Sequence, residues 1–479
     1  MPPNATFREI EREFKFPFTP TQQRAAMLLA HFVDTHIPKA ACILRGFAGT
    51  GKTSLIGSLV KVLRNQGRDA VLMAPTGRAA KVFARLADAP AHTIHKIIYR
   101  QNTFNGEHTA FSLGFNSLKN ALFIVDEASM IALGKKFSQD TIFGTGELLD
   151  DLIHFVYSSP GCKMLLVGDP GQLPPVGEEE SPALNDEVIK KYGLTVGSAD
   201  LTEVVRQADQ SDVLIEATKL RQLMAENFQG FPSIQTTTHG EVRDIPGNEL
   251  IETLVDDYRT FGENEVVLIT RSNKQANLYN FGIRARIFDR EEILTRGDRV
   301  MAVKNNYFWT EQAAKNLTSG QILPMDFIAN GDAAEVIRLR NVHTLYNFQF
   351  ADATLRFTDY EDFEIDCRVM LTTLTSDSPS LTKEESSKLY EAILEDYLHI
   401  PTKKERLKAL RQDPYYNALQ IKYAYALTCH KAQGGQWARV YIDQGFVPEE
   451  ETGVPYLRWL YTAFTRTTDR VGLLNRHTA

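Results

Sequence analysis

The sequence predicts an α/β chain with two parallel-sheet cores, a β-hairpin inserted in the first and a mixed β-barrel and helical insertion in the second. Three observations predict it. Short apolar runs, each ending just before a glycine, proline or acid, alternate with helical segments in two separate stretches. A long block of strand-like and then charged helical sequence interrupts the second stretch. The 479 residues suit about three domains at roughly 150 residues each.

In the first stretch, from Thr19 to about Val205, the apolar runs are residues 41–44, 70–73, 122–125 and 164–167. Such runs read as buried parallel strands whose C-terminal ends carry active groups. Between His95 and Lys119 the dipeptide Asn105-Gly106 sits among strand-like residues. It signals a hairpin, because a type I′ turn needs positive φ at both central positions. A surface hairpin without a role fits the same residues. The second stretch offers runs 266–270, 423–428, 440–442 and 471–474. Its insertion reads as strands (RVMAVKN, AAEVIRLR, FQFADATLRF, FEIDCRVML) followed by a charged helical part over 381–410. The expected division is residues 1–200 for the first core, with 95–119 as its hairpin, 201–296 with 417–479 for the second, and 297–416 for the insertion. No repeat at a solenoid period is visible.

Composition narrows the function classes. Hydrophobic residues at 43% and charged residues at 24% describe an ordinary globular chain. The four cysteines are far apart and form no CxxC pair, which argues against a zinc module or a disulfide framework and suits a reducing cytosol. No apolar run approaches the roughly eighteen residues of a membrane helix, and the first residues have no signal-peptide h-region. The net charge of −7 excludes coating a nucleic acid by bulk charge, so any such site must be a local groove.

The strongest motif runs from Gly46 to Thr53, GFAGTGKT, between the strand-like CILR and a helical run. It fits GxxxxGK[ST] in its strand–loop–helix setting. Gly46, Gly49 and Gly51 let backbone N–H groups wrap phosphates at a helix N-terminus, with Ser54 beside them. Lys52 would bridge the β- and γ-phosphates of ATP, and the Thr53 hydroxyl would ligate Mg²⁺. LFIVDEAS supplies the partner: Asp126 ends an apolar strand and would hold the Mg²⁺ shell, and Glu127 would polarise an attacking water. A phosphotransfer kinase needs no such glutamate, so the pair favours hydrolysis. After a further apolar strand, GDPGQLPPV puts Asp169 and Gln172 at a strand end, where they could sense the γ-phosphate.

With these motifs in this order, the chain closely resembles the superfamily 1 DNA helicases, in the RecD-like and Dda-like type B branch, from Thr19 to Leu474. The resemblance implies two RecA-like cores, a pin hairpin and a small barrel. It makes Gln22 the adenine-reading glutamine, with Gln23 as a register alternative. Arg206 in VVRQ becomes an arginine on the γ-phosphate, and Arg466 in YTAFTRTTDR the second core's arginine finger. Gln433 and Gly434 in YALTCHKAQGGQ link nucleotide to DNA, although Gln436 stands where the family often has an acid. Pro75, Thr76 and Arg78 in APTGRAA, Thr93 and His95 in AHTIH, and Thr428 and His430 then become DNA contacts. Phe104 is a candidate for stacking on bases.

The function so implied is an ATP-dependent helicase moving 5′-to-3′ on single-stranded DNA and opening duplexes at strand junctions with its pin. A monomer in the cytoplasm of a bacterial or phage-infected cell is expected, with recombination or replication proteins as partners. A DNA-stimulated ATPase subunit of a larger recombination or nuclease assembly could carry the same motifs without unwinding alone. A small-molecule kinase or GTPase would leave the second core unexplained, and no guanine-reading NKxD is present.

Overall fold

The computed structural model describes residues 4–101, 111–133, 147–205, 211–315, 317, 323–325 and 327–477. In chain order the first core contributes β1 (Ala40–Gly46), β2 (Ala70–Ala74), β3 (Ala91–Thr93), the short pair β4 (Tyr99–Gln101) and β5 (Phe111–Leu113), then β6 (Leu122–Val125), β7 (Lys163–Gly168) and β8 (Thr195–Leu201). Six of these form a parallel sheet in the order β3-β2-β6-β7-β1-β8. Alternate residues point to opposite faces, and both faces are covered. Cys42, Leu44, Leu165 and Val167 pack with Ile56 and Leu59 of the Lys52–Asn65 helix, while Ile43, Met164 and Leu166 pack with Leu152 and Val156 of the Leu148–Tyr157 helix. This is why the runs are apolar throughout instead of alternating.

The second core has β9 (Val242–Asp244) and β10 (Val266–Thr270), then gives way to β11 (Arg299–Ala302), β12 (Ala333–Leu345), β13 (Phe348–Phe357), β14 (Phe363–Met370) and β15 (Leu419–Tyr423), and resumes with β16 (Ala426–Thr428), β17 (Trp437–Asp443) and β18 (Thr467–Leu474). The five interrupting strands close into a barrel; the others form a parallel sheet, β16-β10-β17-β18-β9. Helices Lys383–Asp396 and Lys403–Arg411 occupy the charged stretch before β15. Barrel and core share one apolar cluster, in which Leu268 and Tyr441 continue into Val300, Val336 and Ile421. A fully buried carboxylate fixes the joint: Asp298 takes a bidentate pair from Arg284, at 2.9 and 2.8 Å, and a third contact from Arg290 at 3.1 Å.

Two details differ from the sequence reading. The insertion extends past residue 416, because β15 is a barrel strand, and residues 423–428 are split between barrel and core sheet. Only the apolar Ala424 and Tyr425 separate the two strands, so no break shows in the pattern between Tyr423 and Leu427. Strands β3, β8 and β9 were also not anticipated: two are three residues long, and β8 is a half-exposed edge strand.

The hairpin's stem is present, with Tyr99, Arg100 and Gln101 paired antiparallel to Leu113, Ser112 and Phe111. Asn105-Gly106 and Phe104 lie outside the described residues. At the stem's base the His95 ring lies 5.6 Å from Tyr99 and 5.9 Å from Phe327, whose ring is tilted against Tyr307 at 4.7 Å. The hairpin base therefore leans on the segment that leads through the second-core insertion. Among the described residues, no helix is long and apolar enough to cross a membrane.

Candidate nucleotide site and strand-binding edges

The loop after β1 is shaped by its glycines. Gly49 (φ +75°) and Gly51 (φ +79°) adopt left-handed conformations that other residues resist. A Cβ on Gly46 would lie 2.8 Å from Thr50 Oγ1 and 2.9 Å from Lys52 Cγ, so the turn closes only around glycine. Gly51 caps the Lys52–Asn65 helix without a side-chain hydrogen bond. That helix N-terminus therefore offers its backbone N–H groups to an anion. The Lys52 ammonium curls over the loop and donates to the carbonyls of Gly46 and Phe47.

Asp126 and Glu127 follow β6 at the same sheet edge. Burial, reinforced by the neighbouring Glu127 charge, raises the Asp126 carboxyl well above the usual carboxylate range. Its Oδ1 accepts the Glu127 N–H at 2.9 Å. Glu127 holds φ at +50°, a left-handed conformation that costs a non-glycine residue about 1 kcal/mol or more. That strain turns its carboxylate into the cleft. The half-buried Asp126 carboxylate and the Thr53 hydroxyl, facing one cavity, form a hard-oxygen donor set, which fits Mg²⁺.

The cavity is about 340 Å³ and both cores line it. From the first come Gly49, Gly51, Lys52, Thr53, Ser54, Asp126, Glu127, Asp169 and Gln172, and from the second Gly434, Gln436 and Arg466. The N-terminal ends of β17 and β18 thus face the C-terminal edge of the first sheet. Arg466, 3% exposed, reaches to 3.8 Å from Glu127 while donating to the carbonyls of Thr462 and Gly435. Gly434 (φ +73°) presses against the first core, where a Cβ would meet Ala79 at 3.0 Å and Thr76 Oγ1 at 3.2 Å. Gln172 lines the cavity, and its Oε1 is a buried acceptor with no hydrogen-bond partner among the described residues.

Other expected residues stand beside the cavity. Gln22 is buried behind the loop: its Oε1 accepts from the Thr19 N–H and its Nε2 donates to the Thr50 carbonyl, each at 3.0 Å. It braces the loop in this structure, and its capping box opens the Pro20–Asp34 helix. Gln433 Nε2 donates to the Leu173 carbonyl at 2.7 Å, and Thr462 Oγ1 accepts the Leu173 N–H at 2.9 Å, so the second core grips GDPGQLPPV by its backbone. Arg206 lies outside the described residues.

Strand ends define two further edges. In the first core, Pro75 and Thr76 follow β2, and Thr93 ends the adjacent β3; both threonines cap helices, accepting from the N–H of Ala79 and Lys96 at 3.2 Å. In the second, Thr428 ends β16 beside Thr270 of β10, after which Ser272 caps the Asn273–Arg286 helix. Ser272 escaped the sequence reading because a serine before an amphipathic helix is commonplace. His430 is exposed and faces a cavity lined by Leu173, Pro174 and Pro175. One assignment changes. Arg78 does not face a free groove: its guanidinium stacks on Trp437 at 3.9 Å and donates to the Gln436 carbonyl at 2.9 Å. That side of the Gly77–Ala87 helix is covered by the second core, so its cation serves closure. His95, half-buried against Tyr99 and Phe327, has its pKa pushed down to about 4 by burial.

The AAA domain family matches residues 19–231 and the UvrD-like helicase C-terminal domain family matches residues 423–474, together more than half of the chain. The second match contains Gly434, Gln436 and Arg466, the residues that complete the cavity. Together these matches support a superfamily 1 helicase of the RecD-like and Dda-like branch. This helicase is 30% identical to the ATP-dependent RecD2 DNA helicase of Deinococcus radiodurans over 36% of its own length and 20% of that protein's. It is 25% identical to the ATP-dependent DNA helicase dda of Enterobacteria phage T4, over 54% of its length and 55% of that protein's. An uncharacterized protein of Acanthamoeba polyphaga mimivirus is 21% identical and aligns over 95% of this chain and 99% of its own. The chain thus spans a fifth of RecD2 and about half of dda. The Pif1 helicase from Bacteroides, in a crystal structure with ADP-AlF3 and ssDNA, superposes with a TM-score of 0.46 at 16% identity, covering 97% of this chain and 94% of that one.

Proposed function

We propose that this helicase hydrolyses ATP to move 5′-to-3′ along single-stranded DNA and separates duplex at a junction with its hairpin pin. The observation that carries the reading is the approach of Arg466 to 3.8 Å from Glu127, which makes a single hydrolytic site of two cores. Such a site responds to closure, and closure changes the grip of both cores on a strand. Glu127 would take the proton of the attacking water, with Gln172 Oε1 accepting its other hydrogen and fixing its direction. Lys52 and Arg466 would stabilise charge developing on the transferred phosphoryl group. Thr53 and Asp126 would hold Mg²⁺, which when bound neutralises phosphate charge and lets Asp126 ionise.

The paired strand ends support the DNA path. Thr76 and Thr93 on one core, and Thr428 with Ser272 on the other, put helix N-termini and hydroxyls where a strand's phosphates could sit. Binding through phosphates predicts strong salt dependence and little sequence preference. The paired stem of β4 and β5, entered from a helix whose His95 packs on Phe327, supports a pin reading. The direction rests on the branch assignment and is tested with two partial duplexes, one tailed at the 5′ end and one at the 3′ end. Unwinding by the purified chain from the 5′ tail is expected. Unwinding only from the 3′ tail would overturn the direction, and DNA-stimulated hydrolysis without unwinding would favour an ATPase subunit.

A further inference from the structure

Tyr461 has no role in the site described so far, yet it is hydrogen-bonded to two residues that line the cavity, Ala48 and Asp169. It lies on the second core's Val454–Phe464 helix, is 1% exposed, and sends its hydroxyl across the cleft between two first-core groups. The hydroxyl accepts the Ala48 N–H of the phosphate loop at 2.9 Å and donates to Asp169 Oδ2 at 2.6 Å. Burial and the Asp169 charge push the phenol well above its ordinary pKa, so the proton needed for that donation stays on the oxygen. Asp169 Oδ1 is occupied by the Gly171 N–H at 2.8 Å, which leaves the phenol as the partner of the other oxygen. The ring's approach depends on a glycine, since a Cβ on Gly171 would lie 3.0 Å from Tyr461 Cε1.

We propose that Tyr461 is a positioning residue, through which the second core ties the phosphate loop to Asp169 when the cleft closes. The inference rests on ATP hydrolysis at this cavity and deepens that reading. One hydroxyl spans two first-core elements, the loop after β1 and the turn after β7. Closure therefore sets their spacing, and opening withdraws the hydroxyl from both, freeing the Ala48 N–H and one oxygen of Asp169. The second core would thus act on the phosphate end of the nucleotide at a point separate from Arg466, five residues further along the chain.

The test is Tyr461→Phe in the full chain, which keeps the ring and removes only the hydroxyl. With a hydrogen bond to a charged partner lost, kcat for ATP should fall about 10- to 100-fold. KM and the affinity for a fluorescent ADP should stay within about threefold, since the effect concerns the closed arrangement. Adding Tyr461→Phe to Asp169→Ala should cost little more than Asp169→Ala alone, because both remove the same link. Gly171→Ala, which would push the ring away from the opposite side, should reproduce the loss of kcat even if the phenylalanine variant folds poorly. A kcat within threefold of wild type in both variants would overturn the proposal. So would a parallel loss of ADP affinity, or additive losses in the double variant. Unwinding by the wild-type chain is scored separately, so failure of the helicase reading leaves this comparison of turnover intact.

Discussion

Arg466 and Glu127 face one another at 3.8 Å across the cleft between two cores, one from the start of β18 and one from the end of β6. Neither core alone holds both Glu127, the proposed water-activating carboxylate, and the Arg466 guanidinium. The Arg466 side chain is also held by the carbonyls of Thr462 and Gly435, so its position reports that of the whole second core. On the proposed reading, hydrolysis and cleft closure become one event.

Glu127→Gln should separate binding from chemistry. The amide keeps the shape of the side chain but cannot take a proton, so hydrolysis should fall by about 10²- to 10⁴-fold while ATP binding persists. Equilibrium binding of a non-hydrolysable ATP analogue, beside steady-state turnover, checks this. Loss of analogue binding would make Glu127 a structural residue.

Replacing residues 102–110 by a short Gly-Ser link should uncouple two activities. The cores, the strand edges and the stem of β4 and β5 are untouched, so ATPase stimulated by single-stranded DNA should remain while duplex separation collapses. Unwinding at the normal rate would refute the pin.

His95 predicts a pH dependence. Its folded pKa is lowered to about 4 by burial, below the ordinary value near 6.5. The unfolded chain therefore binds the extra proton between these values, and stability rises with pH through that window. It is fully present above about 6.5 and is lost as pH falls toward 4, by on the order of 1–3 kcal/mol. His95→Phe keeps a ring against Tyr99 and Phe327 and removes the titration. Its melting temperature should vary less between pH 4 and 6.5 than that of wild type, and an unchanged slope would contradict the account.

Much of this was legible in the sequence, for identifiable reasons. The four central strands of the first core show as apolar runs because both faces of the sheet are covered. Lys52, Thr53, Asp126 and Glu127 show because each must follow a strand at a fixed spacing. What stayed hidden depends on what lies across a cleft. Arg78 reads as a cation on a helical stripe, and only the structure reveals Trp437 beneath it. Tyr461 reads as one more aromatic in an apolar helix, because Ala48 and Asp169 are remote in sequence. The barrel boundary was blurred for another reason: β15 and β16 serve different sheets but join one apolar cluster, so hydropathy does not change between them.

The central claim, that the second core completes the hydrolytic site, is tested most directly by Arg466→Ala in steady-state ATP hydrolysis with saturating single-stranded DNA. The account predicts that kcat falls about 10³-fold or more, while the dissociation constant for ATP changes by no more than a few-fold, because the guanidinium acts on charge developed in the transition state. Turnover near the wild-type rate, or a loss wholly explained by weaker nucleotide binding, would contradict it.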